Sequence, residues 1–195
     1  MGTQKLLLPW NGKTVIQQVV DQILAAGLNP TLIVIGGDAA ADTAAIAKVL
    51  TGRPVTIAQN PDRDAEMLSS VRCGLRALPT NCEAALVALG DQPTIRCELI
   101  EQLIQAYGAI GRGIVVPTFE GTRGHPMIFS ANYFGEILTQ HDGVGLRGLM
   151  TSHPQDLHEV SVGDPAVLAE MNHPDDYQRQ FNASHNRPQH GEISD

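Results

Sequence analysis

The amino-acid sequence predicts an α/β fold, with a mostly parallel sheet, helices on both faces and an antiparallel addition towards the C-terminus. Short unbroken apolar runs at residues 32–35 and 84–89 end at glycine, as strands buried on both faces do. Apolar residues recur at helical spacing between such runs. After Gly113 two short strand-like segments flank a Gly-rich turn, which indicates a hairpin added to the sheet.

Taken in order, the first part of the chain reads as an extended stretch, a helix, a strand and a second helix. Residues 5–9 are predicted to be extended. An apolar stripe over residues 15–24 predicts a helix that ends at Gly27, where helices favour a left-handed residue. The strand at 32–35 follows, and Asp38 is predicted to cap an Ala-rich helix running to about residue 50.

The second part of the chain continues the alternation and then departs from it. Its predicted elements are a strand at 55–58, a helix at 67–78, the strand at 84–89, a helix at 99–107, hairpin strands at 114–117 and 127–129, strands at 157–162 and 167–171, and a last helix starting at Pro174. We predict a single domain over residues 1–182 and a disordered tail over 183–195, which is polar and without periodicity.

The strand at residues 84–89 carries the most informative side chain, because Asp91 follows it directly. Pro93 prevents the strand from continuing. Ligands of open parallel sheets bind outside the carboxyl ends of the strands, so a carboxylate there is suited to holding a metal ion against a phosphate chain. The alternative is that Asp91 caps the following turn or helix.

Composition excludes several classes of function. The chain has 195 residues, 43% of them hydrophobic, which suits one well-formed core. Its net charge of −8 argues against a nucleic acid or a membrane surface as partner. The three cysteines, Cys73, Cys82 and Cys97, are scattered as in a cytoplasmic protein with reduced thiols.

Several segments, in order, resemble one family: the nucleotidyltransferases that attach a nucleotide to the molybdenum cofactor, in particular the MobA-like molybdenum cofactor cytidylyltransferases. The resemblance implies a Rossmann-like nucleotidyltransferase fold, in agreement with the α/β prediction. The matching segments are residues 1–10 (MGTQKLLLPW), 12–15 (GKTV), 60–61 (NP), 67–72 (MLSSVR), 90–93 (GDQP), 123–126 (RGHP), 142–147 (DGVGLR) and 173–177 (HPDDY).

The resemblance implies a transfer of CMP from CTP to molybdopterin, with Mg²⁺ as cofactor. It makes Asp91 the metal ligand and Lys5 the phosphate-binding lysine, and both are expected to be catalytic. Ser69, Ser70 and Arg72 lie in a segment that resembles one near the nucleotide. The two serines are equally suited to capping the helix that begins there.

The resemblance implies that the residues that bind the acceptor, molybdopterin, lie in the C-terminal half of the chain. Arg123 and His125 lie in the tight turn of the hairpin, and Arg147 lies in a Gly-rich loop where a guanidinium would suit the pterin phosphate. A second metal contact is expected from Asn172, with Glu170 as the alternative. A transient contact with a molybdenum hydroxylase or its chaperone is a further expected partner.

One departure concerns the start of the chain. The family has a strand and a Gly-rich loop ahead of the lysine, roughly LAAGxSxRMGxxK, and this sequence begins at the Met-Gly of that motif. The absent strand would lie between the strands at 32–35 and 84–89. We expect that the natural protein starts upstream; otherwise another segment fills the gap and nucleotide binding is impaired.

Two alternatives to the cytidylyltransferase remain open from the sequence. One is a related transferase that uses another nucleotide, such as GTP, or another phosphorylated acceptor. The other is a protein without catalytic activity that binds the molybdenum cofactor and escorts it to a hydroxylase, which would retain the GHP segment at residues 124–126 without a complete triphosphate loop.

Overall fold

The structure is a computed structural model that describes residues 3–36, 40–62 and 66–185. Its strands are β1 (Pro9–Trp10), β2 (Lys13–Thr14), β3 (Thr31–Gly36), β4 (Val55–Asn60), β5 (Ala84–Val87), β6 (Ile114–Phe119), β7 (Thr122–Arg123), β8 (Met127–Ser130) and β9 (Leu157–Ser161). Its α-helices are α1 (Val15–Ala25), α2 (Ala40–Val49), α3 (Met67–Ala77), α4 (Cys97–Ile110), α5 (Phe134–Thr139), α6 (Gly145–Ser152) and α7 (Pro174–His185).

Local sequence explains the first helix in detail. Thr14 begins α1 with a capping box, in which its side chain accepts a hydrogen bond from the Gln17 backbone N–H. The Gln17 side chain accepts one from the Thr14 N–H at 2.8 Å. Beyond the helix, Gly27 has a φ of 77°, the left-handed value predicted there. The buried face of α1 then packs against β3 and α2.

Strand β6 is the centre of a five-stranded mixed sheet. Strands β8 and β7 pair antiparallel with it, and β9 pairs with it in parallel. Strand β5 completes the sheet by pairing antiparallel with β8. The predicted hairpin after Gly113 is therefore confirmed, as is the α/β class with helices packed around a mixed sheet that contains parallel strands.

Strands β3 and β4 form a separate parallel pair. All six residues of β3 pair with β4, in register from Thr31 opposite Val55 to Gly36 opposite Asn60. Within the described residues, neither strand pairs with β5. A cavity of about 650 Å³ lies between β3 and β5. This is the position at which the resemblance implied an additional strand.

Three local predictions were wrong. The stretch predicted to be extended over residues 5–9 begins instead in a 3₁₀ helix over Thr3–Leu7, and only Pro9 belongs to a strand, β1. The strand predicted at 167–171 is instead a 3₁₀ helix over Pro165–Leu168, in which Asp164 accepts a hydrogen bond from the Ala166 N–H and proline occupies the first turn. Strand β5 stops at Val87 and its residues are only half-buried, whereas the sequence predicted a fully buried strand over 84–89.

Two predictions fall partly or wholly outside the described residues. Asp38, the predicted cap of the second helix, lies outside them. Helix α7 continues through His185, three residues into the segment predicted as a tail, and residues 186–195 lie outside the described part. No helix among the described residues is long and apolar enough to cross a membrane.

A hydrogen bond between Tyr133 and Asp156 ties the end of the sheet to the loop before β9. The Tyr133 hydroxyl donates to Asp156 Oδ2 at 2.5 Å. This bond, and one from the Gly113 backbone, hold the pKa of the Asp156 carboxyl below its ordinary value. The same contact, together with burial, raises the pKa of Tyr133 to about 12, with burial as the larger cause.

We expect Asp156→Asn to cost stability at neutral pH but much less in acid. A depressed folded-state pKa stabilises the protein above the unfolded value of about 3.9, and that stabilisation is lost as the pH falls through the folded-state pKa. Urea unfolding of wild type and variant at about pH 6 and about pH 3 measures the difference. The variant Tyr133→Phe should show a smaller dependence of the free energy of unfolding on pH than wild type. A stability difference between wild type and Asp156→Asn that is the same at both pH values would contradict the lowered pKa of Asp156.

Candidate active site

Lys5 and Asp91 meet where β5 ends. The Lys5 ammonium donates a hydrogen bond to Asp91 Oδ2 at 2.5 Å and a second to the Met171 carbonyl at 3.2 Å. The side chains are mostly buried, with 22% of Lys5 and 12% of Asp91 exposed. The structure thus brings together the two residues that the sequence analysis made catalytic, although they lie 86 positions apart.

The GDQP and RGHP segments meet at one carbonyl group. The oxygen of Val167 accepts a hydrogen bond from the His125 backbone N–H at 2.9 Å and from Gln92 Nε2 at 3.3 Å. Gln92 is only 1% exposed. The sequence analysis did not single out Gln92, although it lies within the quoted GDQP motif, whereas the glycine of the RGHP turn, Gly124, is the residue expected there to permit close backbone approach. Their role is to hold these motifs together over the 3₁₀ helix.

His125, the residue after Gly124, is buried, and one of its ring nitrogens forms no hydrogen bond within the described residues. It is 9% exposed, and its Nε2 atom has no hydrogen-bond partner among the described residues. Burial lowers the pKa of His125, while the nearby charges of Glu170 and Asp91 act in the opposite direction. The neutral imidazole therefore presents an unsatisfied nitrogen close to two carboxylates, an arrangement that favours a polar ligand.

Glu170 and Asn172 lie on the segment that Lys5 holds through the Met171 carbonyl. Asn172 donates from its side-chain amide to Glu170 Oε2 at 3.0 Å, and its backbone N–H donates to Asp176 at 3.0 Å. The Asn172 carbonyl oxygen and the Glu170 carboxylate are both hard oxygen donors, of the kind Mg²⁺ prefers. The structure therefore keeps both candidates for a second metal contact.

The donor set fits a divalent cation that is shared with a substrate. Among the described residues, no three His, Cys, Asp or Glu side chains are grouped so that they could hold a metal ion by themselves. Mg²⁺ commonly binds through one or two carboxylates together with substrate phosphates, and it keeps several of its waters. Asp91, with a contribution from Glu170 or Asn172, matches that pattern better than it matches a complete protein cage.

Ser69 and Ser70 lie at the start of α3 and share one amide partner. Asn60 donates from Nδ2 to the Ser69 hydroxyl at 2.9 Å and to the Ser70 hydroxyl at 3.3 Å. Ser70 also lines the cavity that contains Lys5 and Asp91. Both hydroxyls keep a proton to donate, so a nucleotide contact is compatible with the hydrogen bonds they accept.

The guanidinium of Arg72 donates hydrogen bonds to other parts of the protein and not to the candidate site. Its guanidinium donates to the carbonyl oxygens of Ile137 and Gln140 and to the Asp142 carboxylate, at 2.6–2.7 Å. These bonds hold the end of α5 against α3. A nucleotide contact from Arg72, which the resemblance implied, would require at least one of these bonds to be exchanged.

The other two arginines predicted for the acceptor are exposed. Arg123 on β7 forms an ion pair with Glu159 at 2.6 Å, with 39% of the arginine side chain exposed. Arg147 lies on α6 and not in the Gly-rich loop predicted for it, because the helix begins at Gly145. Its side chain is exposed to solvent and forms no ion pair within the described residues. The structure does not place either guanidinium in contact with the cluster around Asp91, whereas His125 is next to it.

Gly124 allows the close approach that positions His125. A Cβ atom at residue 124 would overlap the Val167 carbonyl. We expect Gly124→Ala to lower the free energy of unfolding by about 1–3 kcal/mol, as overpacking against backbone does. Gly108→Ala is the matched control, since a Cβ there meets nothing within 4 Å and the site is in a helix.

The measurement for this pair is urea unfolding followed by circular dichroism. The control variant should be unchanged or slightly more stable, because alanine favours a helix over glycine by about 1 kcal/mol. Equal stability of Gly124→Ala and wild type would show that the turn can move away from Val167.

This fold and site define a class of protein. A carboxylate a few residues beyond the end of a strand, paired with a lysine and flanked by a buried histidine, is suited to transfer chemistry on phosphate groups. The model of the MobA-like NTP transferase domain matches residues 1–157. The chain belongs to this MobA-like NTP transferase family, and a nucleotidyl transfer function follows at that level.

Individual relatives agree with the family. The chain is 31% identical over 174 residues to nicotine blue oxidoreductase of Paenarthrobacter nicotinovorans, covering 84% of this chain and 80% of that protein. Among solved structures it is similar to Rv0371c from Mycobacterium tuberculosis H37Rv, with a TM-score of 0.77, 30% identity and coverage of 93% and 91% of the two chains. A complex of Rv0371c with manganese superposes with the same TM-score at 26% identity, covering 93% of each chain.

A third solved structure is similar to the chain to the same degree. It is a nucleotidyl transferase from Methanothermobacter thermautotroptrophicus, with a TM-score of 0.77 and 27% identity. The alignment covers 92% of this chain and 84% of that chain. The similarity therefore extends over nearly the whole chain.

Proposed function

We propose that this protein transfers CMP from CTP to molybdopterin, in a Mg²⁺-dependent reaction that releases pyrophosphate. The observation that carries the proposal is the Lys5–Asp91 pair beside the buried, unpartnered His125 nitrogen. An oxygen of the molybdopterin phosphate attacks the α-phosphorus of CTP, and the bond from that phosphorus to the β-phosphate bridging oxygen breaks. Pyrophosphate carries the bond electrons away.

The protein's part in such a reaction is positioning and charge neutralisation. Lys5 hydrogen-bonds Asp91 in this structure. When a phosphate oxygen of the substrate replaces Asp91 as its partner, Lys5 supplies a compact positive charge to that oxygen. Asp91, with Glu170 or Asn172, would hold Mg²⁺, which when bound supplies further neutralisation of the triphosphate. Ser69 and Ser70 are the proposed hydroxyl contacts to base or ribose.

His125 is the proposed contact to the acceptor. Its Nε2 atom is buried and has no hydrogen-bond partner among the described residues, so we propose that it exchanges one hydrogen bond with the phosphate or pterin of the bound acceptor. Arg147 and Arg123 are exposed, so their proposed role is in attracting and orienting the acceptor's phosphate.

We expect His125→Ala and Arg147→Ala to weaken molybdopterin binding about tenfold each and to leave CTP binding within about twofold of wild type. The magnitude is that of one hydrogen bond to a charged group. Isothermal titration of each ligand against each variant measures it. Arg179→Ala, which removes an exposed guanidinium on α7, is the control for a general change in charge. Equal losses for both ligands would contradict this division of the site.

Thermal-shift titration with Mg²⁺-CTP, Mg²⁺-GTP and molybdopterin separately tests the proposed substrates. A ligand at one hundred times its Kd stabilises the folded state by about 2.7 kcal/mol. The proposal predicts stabilisation by Mg²⁺-CTP and molybdopterin. Stabilisation by Mg²⁺-GTP alone among the nucleotides would assign a related transferase, and stabilisation by molybdopterin alone would assign the escort protein.

A second candidate function comes from the curated relative. Nicotine blue oxidoreductase is 31% identical over most of both chains, so an oxidoreductase built on this family's fold is a specific alternative. Incubation with nicotine blue and a reduced nicotinamide nucleotide, in parallel with incubation with Mg²⁺, CTP and molybdopterin, distinguishes it. Loss of the pigment's absorbance without pyrophosphate release would assign the oxidoreductase, and the opposite result would assign the transferase.

A further inference from the structure

Residues 170–173 form a short connection that is held by side chains along its whole length. The connection lies between the 3₁₀ helix over Pro165–Leu168 and the start of α7, and it belongs to neither a helix nor a strand. Its backbone therefore has no ladder of hydrogen bonds of its own. Instead, each of the four residues has a backbone group that forms a hydrogen bond with a side chain.

The first two residues of the connection are held at their carbonyl groups. The Glu170 carbonyl accepts a hydrogen bond from Gln180 Nε2 at 3.2 Å, and Gln180 lies on α7. The Met171 carbonyl accepts one from the Lys5 ammonium, also at 3.2 Å. One side of the connection is thus tied to α7 and the other to the lysine of the candidate active site.

Asp176 holds the last two residues of the connection through a single oxygen. Its Oδ2 atom accepts hydrogen bonds from the backbone N–H of Asn172 at 3.0 Å and of His173 at 2.8 Å. Asp176 is the third residue of α7, so the same bonds also cap the start of that helix. Its other oxygen, Oδ1, pairs with Arg179 at 2.6 Å. Only Oδ2 therefore holds the connection.

Helix α7 is itself fixed to the N-terminal part of the protein. The Tyr177 hydroxyl donates to the Pro9 carbonyl at 2.7 Å. The rings of Tyr177 and Phe181 stack at 5.5 Å, and both meet the edge or face of Trp10, at 6.3 and 5.8 Å between ring centroids. Met171 is fully buried in the same cluster. The helix therefore gives the connection a rigid support.

This support leaves the two candidate metal contacts free to face a ligand. Glu170 and Asn172 are exposed, on either side of the buried Met171. The Asn172 amide donates to Glu170 Oε2 at 3.0 Å, which joins the two side chains. The charges of Glu170 and Asp91 both act on the pKa of His125, so the pair lies within electrostatic reach of the candidate active site.

We propose that Asp176 is a positioning residue for the divalent cation at Asp91. Its hydrogen bonds to the connection fix where the oxygens of Glu170 and Asn172 lie relative to that carboxylate. A ligand on a connecting segment is placed precisely only when its own support is fixed. The inference rests on the proposed function, since it takes a divalent cation to bind at Asp91, and it adds the helix that aligns the second contact.

The first test compares two substitutions of Asp176. Asp176→Ala removes both backbone bonds, whereas the amide oxygen of Asp176→Asn can take the place of Oδ2. Removing a hydrogen bond that orients a metal ligand typically weakens metal binding 10–100-fold, so Asp176→Ala should bind Mg²⁺-CTP about tenfold more weakly than wild type. Asp176→Asn should restore most of the affinity.

Isothermal titration without molybdopterin measures these affinities, once with Mg²⁺ and once with EDTA in place of the metal. The affinity for CTP in EDTA should be the same in wild type and both variants, because Asp176 acts only through the cation. Equal losses with and without Mg²⁺ would show a merely structural role. Unchanged binding of Mg²⁺-CTP by Asp176→Ala would also overturn the proposal.

Two neighbours on α7 provide matched controls. Asp175→Ala makes the same change in charge, but Asp175 is exposed and forms no hydrogen bond with the connection within the described residues. Arg179→Ala removes only the partner of Oδ1, and its guanidinium is 73% exposed. Both should bind Mg²⁺-CTP as wild type does, since exposed ion pairs contribute little. A loss in Asp175→Ala equal to that in Asp176→Ala would assign the effect to net charge.

Circular dichroism shows whether each variant is folded. If Asp176→Ala does not fold, Gln180→Met decides, because it removes the bond to the Glu170 carbonyl and keeps the length of the side chain. It should weaken binding of Mg²⁺-CTP severalfold and leave CTP binding in EDTA unchanged. No change in the Mg²⁺-dependent affinity would then overturn the proposal.

A measurement without nucleotide separates this inference from the proposed transfer reaction. Mn²⁺, a paramagnetic substitute for Mg²⁺, should broaden the amide NMR signals of residues 170–173 in the whole chain. The midpoint concentration should be about tenfold higher in Asp176→Ala and unchanged in Asp175→Ala. Equal midpoints in Asp176→Ala and wild type, or no broadening of these signals, would overturn the inference. Broadening as expected without any binding of CTP would contradict only the proposed nucleotide.

Discussion

Asp91→Asn is expected to reduce nucleotidyl transfer by about 10²–10³-fold while the protein stays folded. The substitution keeps the shape of the side chain and removes the charge that would hold Mg²⁺ against the triphosphate. Losing one well-placed electrostatic contact at a reacting phosphate or oxyanion typically has an effect of this size. The folded state should lose only about 1–2 kcal/mol, because the Asn amide oxygen still accepts the Lys5 hydrogen bond.

The measurement is the initial rate of pyrophosphate release at saturating Mg²⁺ and CTP, with circular dichroism to confirm folding. Asp21→Asn is the matched control. Asp21 also forms ion pairs, with Lys13 and Arg53, but it does not line the cavity between β3 and β5 that contains Asp91. It should retain activity near wild type. A rate for Asp91→Asn within a few-fold of wild type would remove Asp91 from the metal site.

Lys5→Met is expected to reduce kcat/KM for CTP by about 10²-fold. Methionine keeps much of the length and apolar character of the lysine stem, and it removes the ammonium that lies 2.5 Å from Asp91. A lysine that neutralises a phosphate acts as a point charge, so its loss should not be recovered by an uncharged side chain. Arginine at this position should restore part of the activity.

Lys13→Met is the control for Lys5→Met, because Lys13 forms an ion pair of similar length with Asp21 but is 45% exposed. The double variant Lys5→Met/Asp91→Asn adds a test of cooperation. If the two residues act as one unit, the double variant loses no more activity than the worse single variant. Fully additive losses would indicate that Lys5 and Asp91 contact separate parts of the substrate.

The fold could be predicted well where one element depends on its own residues. The stripe of α1 and the glycine that ends it are local, and the structure has them as predicted. The capping box that begins α1 is local too, although it was not predicted. The segment at 165–168 was harder, because its apolar composition also suits a strand. The side chain of Asp164 and the ring of Pro165 decide in favour of a 3₁₀ helix.

The site could be predicted in part, since position along the chain shows which residues end a strand but not what they touch. The end of β5 pointed to Asp91, and the structure adds its contact with Lys5. Only the folded structure shows that Gln92 and His125 both donate hydrogen bonds to the Val167 carbonyl. The same holds for the two carbonyl oxygens and the carboxylate that accept hydrogen bonds from Arg72. Such long-range contacts leave no periodic signal in the sequence.

The degree of burial of β5 was the least predictable feature. An apolar run of six residues indicates a strand covered on all sides, yet burial depends on whether a neighbouring strand is present. In the described structure the flank facing β3 is open, so the residues of β5 are half-buried.

Product analysis with labelled CTP tests the central claim most directly. The protein is incubated with Mg²⁺, α-³²P-CTP and molybdopterin, and the labelled product and pyrophosphate are quantified together. The account predicts one CMP joined to molybdopterin for each pyrophosphate released. Neither product should form when Mg²⁺ is chelated, and both should form about 10²–10³-fold more slowly when Asp91 is replaced by Asn. Pyrophosphate release that does not depend on molybdopterin, or equal product from the Asp91→Asn variant, would contradict it.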